Sequence, residues 1–331
     1  MTKLMDLPGK SLERLTYRIF LILLLLITTS SAYSATEKLV TIKVGFDLWP
    51  GYYPMVIAKE KGWFKQNGLD VHYVLPENTD KMLAGFVKGE TDVVCVALGD
   101  VFALKEKLPG LRVPMISDES AGGDALISLK PLPADLKGLK IGTNLKGFGE
   151  LFVTEFLRQH NTDVKDIVLV QQEASKASDL LSSGEVDIAH TWEPYVSDAS
   201  AYYDARIVFS SANTPGLIPD AVVFHPNLLA QPKAAKAFVA TWLKAAEWWL
   251  AHRHAGDRIA ERSLLLMPNT VNLEGIKLMT TAGNRKLFEK RDDMSSLYFV
   301  TDKYIQFFKS KGVLTQDLNA ADVIVADYLP Q

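Results

Sequence analysis

Apolar and polar residues alternate from Thr41 to Phe46, with β-branched side chains among them, and this predicts a strand. Pro50 and Gly51 interrupt the pattern, so Asp47–Tyr53 is expected as a turn. A helix follows through Ala58 and Lys61, entered at Pro54, whose missing N–H costs nothing in a first helical turn. Leu69–Val74 alternates again as a second strand. Together they form a βαβ unit, and open α/β sheets bind ligands beyond the carboxyl ends of their strands. Trp49, Gly51 and Tyr52 stand in that first loop, placed to touch something small; the competing account is that the rings only cover the helix.

The alternation of periods continues. Residues 78–88 carry Met82, Leu83, Phe86 and Val87 at helical spacing, Gly89-Glu90-Thr91 turns, and Asp92–Leu98 reads as a strand. A short helix over 99–107 and strands over 112–116 and 125–129 precede a linker, Pro131-Leu132-Pro133 with Gly138. The chain then begins again. Lys140–Leu145 echoes Lys43–Leu48 at an offset of 97, and Asp166–Val170 echoes Asp70–Val74 at 96. Leu181–Ile188 echoes Val87–Val93 with their Gly-Glu pairs 95 apart. Three ordered matches at nearly one offset imply two similar α/β lobes with a ligand cleft between them. Lobe one is expected as residues 36–129 with 221–331, lobe two as 130–220, with crossover strands near 126–130 and 220–225 as the hinge. Beyond Gln231 the pattern is mostly helical: 232–252, 257–266, a stretch at 274–279, and 295–310. Trp242, Trp248 and Trp249 fall at core spacing, and His252 and His254 need no metal role.

Composition alters this picture at the N-terminus. Lys3, Lys10, Arg14 and Arg18 precede a nine-residue apolar run, Ile19–Ile27, followed by mostly small residues to Ala35. That is the make-up of a secretory signal peptide over residues 1–35, too short to span a bilayer; an uncleaved anchor is the alternative. Its removal shifts the formal charge from −3 to −5, since four basic and two acidic residues leave. A mildly acidic remainder without Lys/Arg runs argues against nucleic acid and anionic membrane surfaces. Cys95, the single cysteine, lies in an apolar run and is expected to fill a buried strand. No cysteine stands near residue 35, so a lipid anchor has no acceptor, and a soluble periplasmic product is expected.

Matched lobes set matched loops face to face. Lobe one offers Asp47–Tyr52 and Gly99-Asp100; lobe two offers Asn144–Gly149 and His190–Tyr195. Gly147-Phe148-Gly149 opens a helix whose unpaired N–H groups suit an anionic group, although an ordinary strand–helix turn has the same composition. Glu119 and Asp124 belong to a polar loop, 118–124, at the expected mouth of the cleft. Trp192 gives a flat face and Glu193 an acceptor for an amine, against the account that Trp192 packs under a helix. Elbow, zinc, thiol-pair, P-loop and dinucleotide motifs are missing, and the six histidines are scattered, which lowers the case for an enzyme.

The segments VGFDLWPGYYPMVIAKEKGWFKQNGLDV, KGETDV, SGEVDI, DLKGLKIGTN, HTWEPY and SSANTPGLIPD together resemble the periplasmic solute-binding proteins of nitrate/taurine/sulfonate-type ABC importers. The resemblance runs from about Val40 to Phe224 and is diffuse over the helical tail. It implies a two-lobe type II periplasmic binding-protein fold, with lobe one completed by the C-terminal helices. Carried over by position, Trp49, Gly51, Tyr52, Gly99, Gly147–Gly149, Trp192 and Glu193 would line the cleft. The fold is shared with proteins that bind or make thiamine pyrimidine precursors. The yeast-type synthases among them carry a cysteine-rich run and a sacrificial histidine, and one cysteine does not supply the former.

The expected activity is capture of a small nitrogen-containing organic solute, a sulfonate, amine or pyrimidine-like compound, without cofactor or metal. Its anionic end, if it has one, is expected on the Gly147–Gly149 helix start. The expected partner is an ABC permease in the inner membrane, served by a monomer. A pyrimidine-precursor enzyme and a ligand-presenting subunit of a membrane sensor are the rivals. N-terminal sequencing of protein released by osmotic shock is expected to find a mature start between Tyr33 and Thr36. Recovery from washed membranes with Met1 or Thr2 intact would instead establish an anchor.

Overall fold

The computed structural model describes residues 38–331, so the expected leader lies outside the described residues. Eleven strands follow in chain order among them. These are β1 Val40–Gly45, β2 Leu69–Val74, β3 Val93–Ala97, β4 Arg112–Ser120, β5 Asp124–Ser128 and β6 Lys140–Thr143. The rest are β7 Val168–Gln171, β8 Ile188–Trp192, β9 Arg206–Ser210, β10 Pro219–Phe224 and β11 Ile276–Leu278. They form a six-stranded sheet, β11-β4-β10-β3-β1-β2, and a five-stranded sheet, β7-β6-β8-β5-β9. The helices that matter for the site are α1 Tyr53–Glu60, α2 Thr79–Val87, α3 Phe148–Gln159, α4 Tyr195–Tyr203, α5 Pro232–Ala251 and α6 Leu297–Ser310.

The two sheets repeat one plan. In the first, β1 lies between β2 and β3, parallel to both; in the second, β6 lies in the same way between β7 and β8. In each, the next strand is antiparallel and connects to the other sheet: β10 against β3, β5 against β8. The sequence echo has a local cause. Gly89 and Gly184 adopt left-handed φ angles of 75° and 74° to end a helix, a conformation that glycine takes without a Cβ penalty. Three residues on, Asp92 Oδ2 accepts Lys43 N at 2.9 Å, and Asp187 Oδ2 accepts Lys140 N at 2.9 Å. The reciprocal amides, Asp92 N and Asp187 N, donate to the carbonyls of the same two lysines at 2.8 Å. Each aspartate thus fixes the register of the strand beside it.

Three elements differ from the sequence reading. Residues 274–279, expected as helix, contain β11, where Ile276 and Leu278 are buried and Lys277 points outward. Gly275, at φ 73°, turns the chain into that alternation. Strand β4 runs on to Ser120, so Asp118 and Glu119 belong to a strand and not to a polar loop. Strand β5 pairs with β8 and β9 and thus sits in the second sheet, although residues 125–129 had been assigned with the first. The chain therefore changes sheets at 121–123 and returns through 211–218.

Helix α5 begins at Pro232 and lays an apolar face against α1, with Tyr53 and Trp249 stacked at 6.4 Å between ring centroids. Trp242 and Trp249 are fully buried, as their spacing predicts, while Trp248 is half-buried and stacks on His252. Trp249 Nε1 donates to Asp257 at 2.8 Å, whereas Trp242 Nε1 has no partner among the described residues. Tryptophan-to-phenylalanine changes at the two positions remove similar volume but only one hydrogen bond. Trp249→Phe is expected to destabilise more than Trp242→Phe by about 1 kcal/mol, read from urea unfolding midpoints. Equal losses would show that the Asp257 bond contributes nothing.

Candidate functional site

The loop after β1 is set by hydrogen bonds to carboxylates. Asp47 Oδ1 accepts Trp49 N at 3.2 Å, the Trp49 indole N–H donates to Asp118 Oδ1 at 2.8 Å, and Tyr52 OH donates to Asp220 Oδ1 at 2.5 Å. Gly51 passes so close to Asp118 that a Cβ there would stand 1.9 Å from its Oδ2. Any larger residue would displace the carboxylate. Asp118 on β4 and Asp220 on β10 are directly opposed in the antiparallel pairing, and Ser117 Oγ also donates to Asp118, at 2.7 Å.

Opposite them, the turn after β3 meets the start of α3. Asp100 Oδ1 accepts Phe148 N at 3.3 Å, and Glu150 Oε2 accepts Lys146 N at 3.0 Å. Of the helix start that was expected to receive an anionic end of the solute, the first amide, Phe148 N, is thus taken by Asp100, and Glu150 folds back on the residue before the N-cap. Gly99 lets Phe148 come close, since a Cβ there would lie 2.5 Å from Phe148 Cβ and 2.8 Å from the Tyr304 ring. Gly147 makes room for Asp100 and Asn144, Gly149 for Thr143 and His190. Tyr304 of α6 donates to Leu217 O at 2.9 Å and so braces the returning segment.

These elements line an open chamber walled by Asp47, Asp100, Asp124 and Asp220, by the rings of Trp49, Tyr52, Phe148 and Trp192, and by Asn144. No lysine, arginine or histidine is among the described residues that line it. About 30 Å³ is left inside, room for roughly two water-sized groups. Two outer grooves of about 360 and 400 Å³ adjoin it, and Thr79 and Trp192 border all three spaces. Basic residues appear only in the grooves: Lys176 in one, Lys107 and Lys146 in the other.

Burial dominates the electrostatics. It raises Asp47 to about 6 against the pull of its Trp49 amide bond, and Asp100 to about 7 against that of Phe148. Asp220 is pushed well up by burial and then by the facing charge of Asp118; Asp118 is raised too, chiefly by burial. Burial likewise drives the Cys95 thiol up, inside β3 as expected. Among the described residues no cluster of three or more His, Cys, Asp or Glu side chains is placed to hold a metal ion.

Of the residues singled out in the sequence, Trp49, Tyr52, Asp100, Asp124, Asn144, Phe148 and Trp192 meet at the chamber, while Gly51, Gly99, Gly147 and Gly149 stand behind its walls. Two do not join them. Glu119 accepts Gly216 N at 2.7 Å and pairs with Lys277 at 3.2 Å beside a separate groove, because alternation along β4 turns it away from Asp118. Glu193 accepts Ser197 N at 3.2 Å in the first turn of α4, so its carboxylate is spent on the helix start. Sequence reasoning gave no role to Asp118 and Asp220, or to Thr79, Met82 and Ile218. An acid set directly before the apolar run Ala221–Phe224 was the available signal for Asp220.

A protein family described as NMT1/THI5 like matches residues 49–255. The chain belongs to the NMT1/THI5-like family. A Bacillus subtilis (strain 168) protein named for aliphatic sulfonate binding is 23% identical over 225 residues, 65% of this chain and 67% of that protein. A 4-amino-5-hydroxymethyl-2-methylpyrimidine phosphate synthase of Saccharomyces cerevisiae is 26% identical over 141 residues, so the matched stretch spans 41% of that enzyme. The crystal structure of the periplasmic aliphatic sulphonate binding protein SsuA from Escherichia coli superposes with a TM-score of 0.68 at 15% identity, covering 85% of this chain and 96% of that one. The fold is the two-lobe periplasmic binding-protein fold.

The raised Asp47 and Asp100 hold protons in the folded protein at pH values where the unfolded chain has lost them. Their contribution to stability is therefore full at acidic pH and is lost as pH rises through about 6 to 7. Thermal unfolding followed between pH 5 and 8 is expected to show that decline. Asp100→Asn, which keeps an acceptor for Phe148 N, is expected to recover on the order of 2 kcal/mol at pH 8. An unchanged pH profile in the variant would contradict the assignment.

Proposed function

We propose that the protein is the solute-binding component of an ABC importer and that its solute is a small organic molecule carrying an amine or a nitrogen heterocycle. The observation that carries the solute class is the chamber, where four aspartates and four aromatic rings meet without a lysine or arginine. A sulfonate or nitrate in that position would be surrounded by acceptors, whereas an N–H-rich or cationic group would be satisfied by them. The rings add stacking and cation–π faces. The importer role is supported by the family, by the periplasmic sulphonate-binding protein that shares the fold, and by the sulfonate-binding name of the B. subtilis relative.

In this reading one lobe is built on the first sheet and the other on the second, with the lobe boundaries at 121–123 and 211–218 in place of 129/130 and 220/221. Hinge motion there would open the cleft, and the closed form would be presented to a permease in the inner membrane. The protein would act as a monomer in the periplasm after loss of residues 1–35, and it would bind without chemistry. Cys95, the one thiol, is buried within β3 with its ionisation suppressed, which suits a core residue and not a nucleophile.

Calorimetry against amines, aminopyrimidines, alkanesulfonates and nitrate tests this. Tight binding of a nitrogen-bearing organic solute is expected, weakened by about 1–3 kcal/mol in Trp192→Ala through loss of ring contact. Tight binding of nitrate or a simple alkanesulfonate, equal in wild type and Trp192→Ala, would overturn the proposed solute class.

A further inference from the structure

The opposed pair at the root of the chamber points further, on the reading just given that the chamber binds a nitrogenous solute. Asp118 is fully buried and Asp220 is 5% exposed; they face each other across β4 and β10. Trp49, Ser117 and Tyr52 donate to them, but none of these carries positive charge. The titratable groups around the pair are Asp47 and Tyr52 from the first loop, Cys95 from β3, Asp124 from β5 and Tyr304 from α6. None is cationic, and the nearest lysine in register, Lys277, is taken by Glu119. Two opposed carboxylates in such surroundings cannot both be ionised, so one proton stays between them.

A second observation lies across the chamber. Asp124 is 3% exposed, and no described residue donates a hydrogen bond to its carboxylate. His190, 2% exposed, brings Nε2 to 3.4 Å from Asp124 Oδ1, yet that nitrogen has no hydrogen-bond partner among the described residues. Asp124 lines the chamber without a hydrogen-bond donor among the described residues, and the imidazole nitrogen behind it has no partner, so a donor arriving from the chamber would meet a free acceptor. Asp124 is carried by the second sheet and Asp220 by the first, so a group between them would tie the two sheets together.

We infer that the chamber takes a cationic nitrogen group with at least two N–H donors, of the ammonium or amidinium type, which bridges Asp124 and Asp220 and displaces the proton held between Asp118 and Asp220. The proton leaves to solvent, the incoming cation keeps the buried charge balanced, and no bond other than the O–H is broken. An organic cation suits the site better than a metal ion, for which the carboxylates do not converge.

The full-length protein should be titrated calorimetrically with acetamidinium, benzamidinium and ethylammonium, and with ethanesulfonate as the anionic counterpart, in buffers of different ionisation enthalpy. The expected result is binding of a cationic probe with release of about one proton per site, and affinity falling about tenfold per pH unit on the acidic side of the pair's titration. Asp118→Asn, whose amide can donate to an ionised Asp220, should bind the same probe with proton release close to zero. A cationic probe that binds without proton release overturns the inference but leaves the nitrogenous solute standing. Preference for ethanesulfonate overturns it and the solute class together while leaving an importer component, and failure of every cationic probe to bind also overturns the inference. Should the variant not fold, infrared difference spectra of the wild type decide: loss of a protonated-carboxyl band on binding supports the inference, and its persistence overturns it.

Discussion

Carboxylates taken out of water must find donors or keep their protons, and the interior of this cleft is arranged around that requirement. Asp47, Asp100, Asp118, Asp124 and Asp220 come from five different segments; the last four are buried and Asp47 is partly so. The protein answers with neutral donors: an indole N–H, a phenol, a serine hydroxyl and two backbone amides. Glycine at position 51 follows from the need to bring backbone against Asp118, and glycine at 147 from the need to admit Asp100. Rings surround the acids because a dry wall keeps their protons in place and gives a ligand a face to lie against. Selectivity in such a chamber comes from charge sign before it comes from shape.

The same residue type performs a different task at the far ends of the strands. Asp92, partly exposed, and Asp187, exposed, accept from strand amides and hold register. The contrast is positional. An aspartate at the amino end of β3 or β8 meets free backbone N–H groups, whereas one near the crossings between the sheets meets other aspartates. Sequence alone writes the two identically.

That explains which parts of the protein could be read from the chain. The repeat was legible because Gly-Glu-x-Asp recurs with its turn and its clamp, and each strand carried its own apolar period. Trp49, Tyr52, Phe148 and Trp192 were legible because aromatic residues in strand-end loops stand out against polar neighbours. Glu119 was misplaced because the segment 118–124 looks like a polar loop until pairing with β10 and β11 extends β4 through it. Glu193 was misplaced because adjacency to Trp192 says nothing about which backbone amide its carboxylate will reach. The facing of Asp118 and Asp220 depends on a register between residues 102 apart in the chain, and no local pattern encodes it.

The crossing strands also impose an order on how the chain can complete itself. Every strand of the second sheet lies within residues 124–210, so its hydrogen bonding can close as soon as that stretch has emerged. The first sheet begins earlier but waits for residues 219–224 to fill the gap between β3 and β4, and for 276–278 to cover the outer edge of β4. During vectorial emergence the amino-terminal half is thus the last to finish. Until then it presents two apolar strands with unpaired edges, Val93–Ala97 and Val113–Ile116, which are the segments a holding chaperone would have most reason to cover.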